Sequence, residues 1–373
     1  MSTTTTALVD REQVRERVGD VLAGHVAELR TVLTASSPDA QPLADAVEQM
    51  LSGGKRMRAA LCYWSWRAHG GAPGSDAEAA VLRVGAALEL FQAAALFHDD
   101  VMDASDTRRG MPAAHRAAAT LHAQRAWQGD GELFGASVAI LLGDLTLIAS
   151  EQEFARAVEP MPGDLGTAAR TVFDAMRTEV TVGQYLDVLA QVLPWGDAPT
   201  ADERRAREVI RAKSARYSVE HPIVLGATLA GATPDQLTVC RTLGLPLGEA
   251  FQLRDDLLGV YGDPGRTGKP AGDDLREGKR TVLVAIAVRR ALAAGDEATV
   301  ALIRERLGDR AMPDAVLAGV ADAIARTGAV DDVEALIAEL SDPAFALLAA
   351  QPWTEPACSV LTALAHAAVD RTA

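Results

Sequence analysis

The 373-residue chain is poor in several residue types, and each shortage narrows what it can be. Its three cysteines, Cys62, Cys240 and Cys358, lie far apart with no CxxC or Cys/His spacing. That excludes a zinc cluster or a disulfide framework and suits a reduced, cytoplasmic setting. Aromatic residues make up 4% of the chain and asparagine is absent altogether. Basic residues are outnumbered, 36 Lys and Arg against 51 Asp and Glu, for a net charge of -15. A general affinity for nucleic acid or anionic lipid is therefore not expected, and any local basic cluster becomes informative. The N-terminal residues lack a basic start and an apolar stretch, so no signal peptide is expected. Apolar runs such as residues 137–142 meet Gly143 and Asp144 early, and no membrane span is expected.

What the chain has in quantity is Ala, Leu, Val, Arg and Glu with little two-residue alternation, which predicts an all-α protein. Turn-rich breaks at residues 70–74, 129–131, 160–163, 194–199, 231–234 and 262–272 separate long helices. A helix apolar on more than one face, such as residues 79–97, suits the interior of a single large bundle. The organisation expected is a disordered tail over residues 1–8 and one domain over residues 9–373. After about residue 281 the chain continues as a helical supporting part. There is no tandem repeat, but Phe91-Gln92 before Asp99-Asp100 is echoed by Phe251-Gln252 before Asp255-Asp256.

Asp99 and Asp103 are four residues apart and share a helix face about one turn apart. A partly filled carboxylate site of this kind suits magnesium, which completes its shell with water and phosphate oxygens. Arg108 and Arg109, on the turn just beyond, can clamp phosphate oxygens. Upstream, Gly53-Gly54-Lys55-Arg56-Met57-Arg58 packs three cations behind paired glycines at a helix start, where positive charge is unfavourable without an anion. Downstream, Lys269 and Lys279 follow the second acid pair and can close over bound phosphates. Solvated helix ends and surface ion pairs would account for any one segment alone; the ordered set is what shifts the balance.

In that order, GGKRMR, FHDDVMD with DTRRG, GQYLD at residues 183–187, Lys213-Ser214, and FQLRDDLLGVYGD with TGK and EGKRT resemble the trans-isoprenyl diphosphate synthases over residues 53–283. The resemblance implies an all-helical bundle of the isoprenoid synthase type, in which two aspartate segments face a central cavity and share about three Mg2+ ions. It implies Asp99, Asp100, Asp103, Asp255 and Asp256 as metal ligands. Lys55, Arg58 and Arg109 would hold isopentenyl diphosphate, and Arg108, Lys213 and Lys269 the allylic diphosphate, with Gln184 and Asp187 supporting the metal side. Lys279 joins the phosphate-binding set. Asp99, Asp103, Arg108, Lys213 and Lys269 carry the catalysis, and a homodimer is implied. Two departures stand out: Gln92 replaces a common histidine but can still donate to a phosphate oxygen, and Gly259 stands where a third acid is usual.

The reaction so implied is a prenyl transfer that lengthens an allylic diphosphate by one isopentenyl unit. Residues four, five and eight before Asp99, namely Ala95, Ala94 and Phe91, are the candidates for setting chain length. Members of the family that stop at fifteen carbons often carry an aromatic at one of the near positions, so by that resemblance two alanines, with Phe91 about 12 Å below Asp99 as the floor, favour a twenty-carbon product, geranylgeranyl diphosphate. Farnesyl or longer products are the alternatives, and close helix packing is the rival account of Ala94. A terpene cyclase is disfavoured because, where such cyclases share an Asn/Asp, Ser, Glu arrangement, this chain, which has no asparagine, carries a second DD, and because GGKRMR supplies a second diphosphate site that a cyclase does not need. A non-catalytic partner subunit has only Gly259 to suggest it.

Overall fold

The computed structural model describes residues 10–196, 200–262 and 271–370. The expected tail and Lys269 lie outside the described residues. Helices account for nearly all regular structure: α1 (Val14–Ser36), α2 (Gln41–Leu51), α3 (Met57–Ala68), α4 (Asp76–Met102), α5 (Ala114–Gln124), α6 (Gly131–Val158), α7 (Gly163–Val192), α8 (Ala201–Val209), α9 (His221–Leu229), α10 (Pro234–Tyr261), α11 (Asp273–Glu277), α12 (Val282–Ala293), α13 (Glu297–Arg306), α14 (Asp314–Arg326), α15 (Ala329–Ala349) and α16 (Ala357–Val369). A π-helical segment, Ile210–Glu220, joins α8 to α9. The strands among the described residues are β1 (Thr107–Arg108) and β2 (Met111–Pro112), a two-residue antiparallel pair. The all-α expectation holds, and the breaks at 70–74, 129–131, 160–163 and 231–234 fall near the predicted turns; those expected at 194–199 and 262–272 lie partly outside the described residues. Two prolines do not break helices: Pro246 lies inside α10 and Pro343 inside α15.

The chain divides into two compact units interleaved in sequence. The first comprises Met1–Phe173, Pro222–Cys240 and Pro352–Leu364; the second comprises Asp174–His221, Arg241–Gln351 and Ala365–Ala373. In the first unit α4 is the central element, packed against α1, α2, α3, α5 and α6. Its apolar residues run all the way round, as a buried helix requires, and Val84, Ala86, Ala87, Leu88 and Leu90 are wholly buried. Gly85 permits the approach of α1 and α3, since a Cβ there would stand 3.0 Å from Ala59 Cβ and 3.3 Å from Val18 Cγ2. Polar bolts complete the fit. Glu153 of α6, fully buried, accepts from His25 of α1 at 2.9 Å and Arg83 of α4 at 2.9 Å. In the second unit α12 is the buried element, with Val282, Leu283, Val284 and Ala287 excluded from solvent against α8, α13, α14 and α15.

Gly143 and Asp144 do not end the apolar run that precedes them: α6 continues through both for 28 residues. Alanine and leucine on either side carry the helix, and Gly143 has a packing role instead. On length and composition alone, α4 and α6 could each cross a membrane. The most apolar stretch of α4 is 78% buried in the protein and that of α6 only 39%.

Glu78 of α4 fixes the N-terminal helix. It accepts from Arg17 at 2.6 Å, from Tyr63 at 2.7 Å and from the Gly74 amide at 2.8 Å. Chiefly through Arg17, these bonds hold its pKa at about 2. A carboxylate below its unfolded value contributes stability that is complete above the ordinary carboxylate range and lost as pH falls toward 2. Substituting Arg17→Met should lower the melting temperature at pH 7 by several degrees and flatten its decline between pH 5 and 2. Thermal melts across that range check this; parallel acid limbs in the two proteins would contradict it.

Candidate functional site

The first wall is the C-terminal end of α4. Asp99, Asp100 and Asp103 crowd the negative end of the helix dipole, where carboxylates are unfavourable unless cations answer them. One cation is supplied locally. The chain leaves α4 through Ala104, at φ 46, and returns as the β1–β2 hairpin, whose turn residues Arg109 and Gly110 both have positive φ, 54 and 75. This places Arg108 against the acids. Its Nε donates to Asp100 Oδ1 at 2.8 Å, Nη2 also binds that oxygen, and Nη2 lies 3.5 Å from Asp99 Oδ2. Asp100 is 1% exposed. Neighbouring helix residues diverge by about 100°, so Asp100 turns beneath Arg108 while Asp99 and Asp103 share another face. Asp100, expected as a metal ligand, is in this geometry the seat of Arg108.

The residues proposed for chain length separate in the same way. Ser150 of α6 donates to the Ala87 carbonyl at 2.7 Å, and His98 meets the Ile140 carbonyl at 3.2 Å. A Cβ on Gly143 would stand 2.2 Å from His98 Nε2, so only glycine admits that ring. Residues 87, 91, 94 and 98 form one helical stripe, which puts Phe91 and Ala94, both buried, on the side packed against α6. Ala95 and Gln92 belong to the stripe of Asp99. Of the three candidates, only Ala95 shares the acid face.

The basic loop between α2 and α3 is built from positive-φ residues, Gly53 at 78, Gly54 at 82 and Arg56 at 51. Arg56 departs from its neighbours: its guanidinium is buried, 3.2 Å from Glu89 Oε2 and bonded to the Leu51 carbonyl. Lys55 is exposed and Arg58 half-buried. Arg109 reaches the same loop, donating to the carbonyl of Met50 at 2.9 Å. Lys55, Arg58 and Arg109 are thus held around one loop of the first unit.

In the second unit Lys213 sits in the π-helical segment and binds Asp187 Oδ2 at 2.6 Å. The widened turn lies against Gly183, Gly244 and Gly248. A Cβ at those positions would stand 2.3 Å from Lys213 N, 2.5 Å from Glu220 Cα and 2.3 Å from Ala215 O. Segments of this kind recur at functional sites. Gln184 is on α7 three residues before Asp187 and half-buried. Ser214 donates to Gln252 Oε1, and Gln252 Nε2 donates to Asp256 Oδ1 at 2.9 Å. Burial, and after it the charges of Asp274 and Asp255, raises the Asp256 pKa well above the usual carboxylate range.

Gly259 is explained by Asp274. A Cβ on Gly259 would stand 2.0 Å from Asp274 Oδ2, and Gly272 N donates to Gly259 O at 2.9 Å. The carboxylate of Asp274 occupies the place that a third acid on α10 would claim. Lys279, expected on phosphate, is 2.6 Å from Glu277 and 3.6 Å from Asp274. Glu89 has no part in the sequence motifs; its usable signal is a lone charge within an apolar stretch of α4. Lysine use is telling. The chain has only Lys55, Lys213, Lys269 and Lys279, and all four are candidate phosphate ligands.

Magnesium fits this donor set. The carboxylate oxygens at the end of α4 are hard donors, and Asp99 and Asp103 stand one helical turn apart. An ion held here would keep water or phosphate in its shell, as magnesium does.

Residues 40–318 match the family model of polyprenyl synthetase. The chain is 34% identical to geranylfarnesyl diphosphate synthase of Aeropyrum pernix over 64% of its length and 68% of that protein. It is 30% identical to the short chain isoprenyl diphosphate synthase of Methanothermobacter thermautotrophicus over 78% of each. Geranylgeranyl pyrophosphate synthase from Corynebacterium glutamicum, whose crystal structure contains isoprenyl diphosphate and magnesium, is 35% identical. It superposes with a TM-score of 0.89 over 98% of this chain and 99% of that one. The chain belongs to the polyprenyl synthetase family and has the all-α isoprenoid synthase fold. Within that family it is a trans-prenyltransferase of the isoprenyl diphosphate synthase type, and it uses Mg2+.

Substitutions at the three acids separate their roles. Asp99→Ala or Asp103→Ala should abolish turnover. Asp100→Asn should leave the magnesium concentration for half-maximal rate within about threefold while raising the KM of the allylic substrate about tenfold. Steady-state kinetics with varied magnesium and varied primer test this, and a large rise in magnesium demand would return Asp100 to the metal.

Proposed function

We propose that the enzyme condenses isopentenyl diphosphate with an allylic diphosphate and releases geranylgeranyl diphosphate, acting in the cytoplasm as a homodimer, with residues 9–373 as a single domain. The observation that carries the reading is Arg108 seated on Asp100 at the foot of Asp99 and Asp103, which joins a phosphate clamp to a carboxylate pair.

In this reading Arg108, Lys213 and Lys269 hold the allylic diphosphate. Lys55, Arg58 and Arg109 hold isopentenyl diphosphate, with Gln92 and Gln184 donating to phosphate oxygens and Lys279 closing the set. About three magnesium ions, held by Asp99, Asp103, Asp255 and Asp256, would supply the Lewis acidity that lets the diphosphate leave. The cationic side chains stabilise the departing diphosphate as the allylic carbon–oxygen bond breaks. The double bond of isopentenyl diphosphate then forms a carbon–carbon bond to the allylic carbon, and the resulting tertiary cation loses a proton to the released diphosphate. No nucleophilic side chain is required. Before substrate arrives, Lys213 rests on Asp187 and Arg108 on Asp100, so the cations are held in place by acids they can share with phosphate.

A twenty-carbon product is supported by Ala95, a small residue on the Asp99 face. The dimer is supported by α6, an apolar helix with Leu133 at 66%, Leu141 at 55% and Ile148 at 56% exposure. A second copy of the chain is the occupant expected for that face, and Leu141→Arg with Ile148→Asp should give monomer by light scattering.

Incubation with magnesium, isopentenyl diphosphate and each allylic primer, followed by chromatography of the dephosphorylated products, tests the activity. Twenty-carbon alcohol should dominate, and absence of any elongated product would refute the reading. Ala95→Phe should shorten the product, whereas Ala94→Phe should lower the melting temperature without shortening it.

A further inference from the structure

Glu89 and Arg56 form a buried pair that the reaction itself does not use. Glu89 is 6% exposed and lies inside α4, ten residues or about 15 Å before Asp99. Its Oε2 is 3.2 Å from Arg56 Nη1, and its Oε1 has no hydrogen-bond partner among the described residues. Arg56 is the left-handed residue immediately before α3, with φ 51, and its guanidinium also binds the carbonyl of Leu51. A positive charge at a helix start opposes the dipole, and a left-handed arginine is strained. Both costs are borne only where the surroundings fix the residue.

The location explains what is being fixed. Lys55 precedes Arg56 and Arg58 follows it by two residues, so the orientation of Arg56 governs both. Arg109 crosses to the same loop, donating to Met50 O at 2.9 Å and approaching Ser52 O at 3.4 Å. After desolvation, the repulsion of Arg56 and the attraction of Glu89 are the strongest influences on its guanidinium, ahead of Arg108 and Arg58. Glu89 is therefore the acid that balances this cationic group. Gln92, one turn further along α4, lies between the pair and the aspartates.

We infer that the Arg56–Glu89 pair is a positioning device that fixes the acceptor loop to α4, so that one rigid helix sets the register between the isopentenyl diphosphate cations and the Asp99–Asp103 wall. This rests on the assignment of Lys55, Arg58 and Arg109 to isopentenyl diphosphate. Neither residue touches substrate. The pair acts by holding Lys55 and Arg58 in a convergent arrangement before the ligand arrives, which is how preorganisation raises affinity.

A second Arg–Glu pair on the same helix gives the control. Glu78 binds Arg17 at 2.6 Å, and its loss disturbs the N-terminal helix rather than the acceptor loop. Glu89→Gln keeps the shape and removes the charge. It should raise the KM for isopentenyl diphosphate at least tenfold, with kcat and the allylic KM within twofold, and should weaken calorimetric binding of isopentenyl diphosphate to the magnesium-loaded full chain by a similar factor. Glu78→Gln should lower the melting temperature and leave both KM values within twofold. Should Glu89→Gln not fold, Arg56→Lys carries the same expectation with the charge retained. If the wild-type chain neither binds isopentenyl diphosphate nor elongates a primer, the site assignment fails and takes this inference with it. If the wild type does both, and the isopentenyl KM of the variant is unchanged or Glu78→Gln shifts it equally, the positioning role alone is refuted.

Discussion

The structure turns on an electrostatic mismatch at the end of α4. A helix buried along nearly its whole length delivers three carboxylates to its own negative pole. Such an end is tolerable only beside positive charge, and the chain supplies it locally with Arg108, on the first strand of the tight hairpin that returns the backbone toward α5. A helix pole that carries three carboxylates favours cations, and a divalent ion that keeps oxygen ligands from phosphate suits such hard donors.

Close approach is the second theme, and it is enforced by glycine at a few places. Gly143 admits His98 between α4 and α6, and Gly259 leaves room for the Asp274 carboxylate. Gly183, Gly244 and Gly248 accept the widened π-helical turn that displays Lys213. In each case a methyl group would meet backbone or a functional side chain at less than 3 Å. Small residues thus determine where charged ones stand.

Much of this was legible in one dimension. The spacing of Asp99 and Asp103, the glycine-flanked arginines after them and the second DD all depend on local helix geometry, which sequence displays directly. Three things were not. Lys55, Arg56 and Arg58 look equivalent in a list of residues, yet the left-handed turn at Arg56 sends that side chain inward to Glu89. Asp100 stands in line with Asp99 and Asp103 in the sequence, although the helix rotates it toward Arg108. Asp274 lies fifteen positions after Gly259, and only tertiary folding brings the two together. What sequence conceals here is direction: which of several like residues faces which neighbour.

The division of labour between the two basic side chains has a practical meaning. Structural ion pairs across the fold employ arginine, as at Arg17, Arg67, Arg83, Arg207 and Arg254, whose planar fork suits fixed partners. Lysine, the compact point charge, occurs only at Lys55, Lys213, Lys269 and Lys279. The outer surface is consequently almost blank to amine chemistry. A reagent that acylates side-chain amines will report on those four positions, and under the proposed assignment bound diphosphate will be visible as their protection.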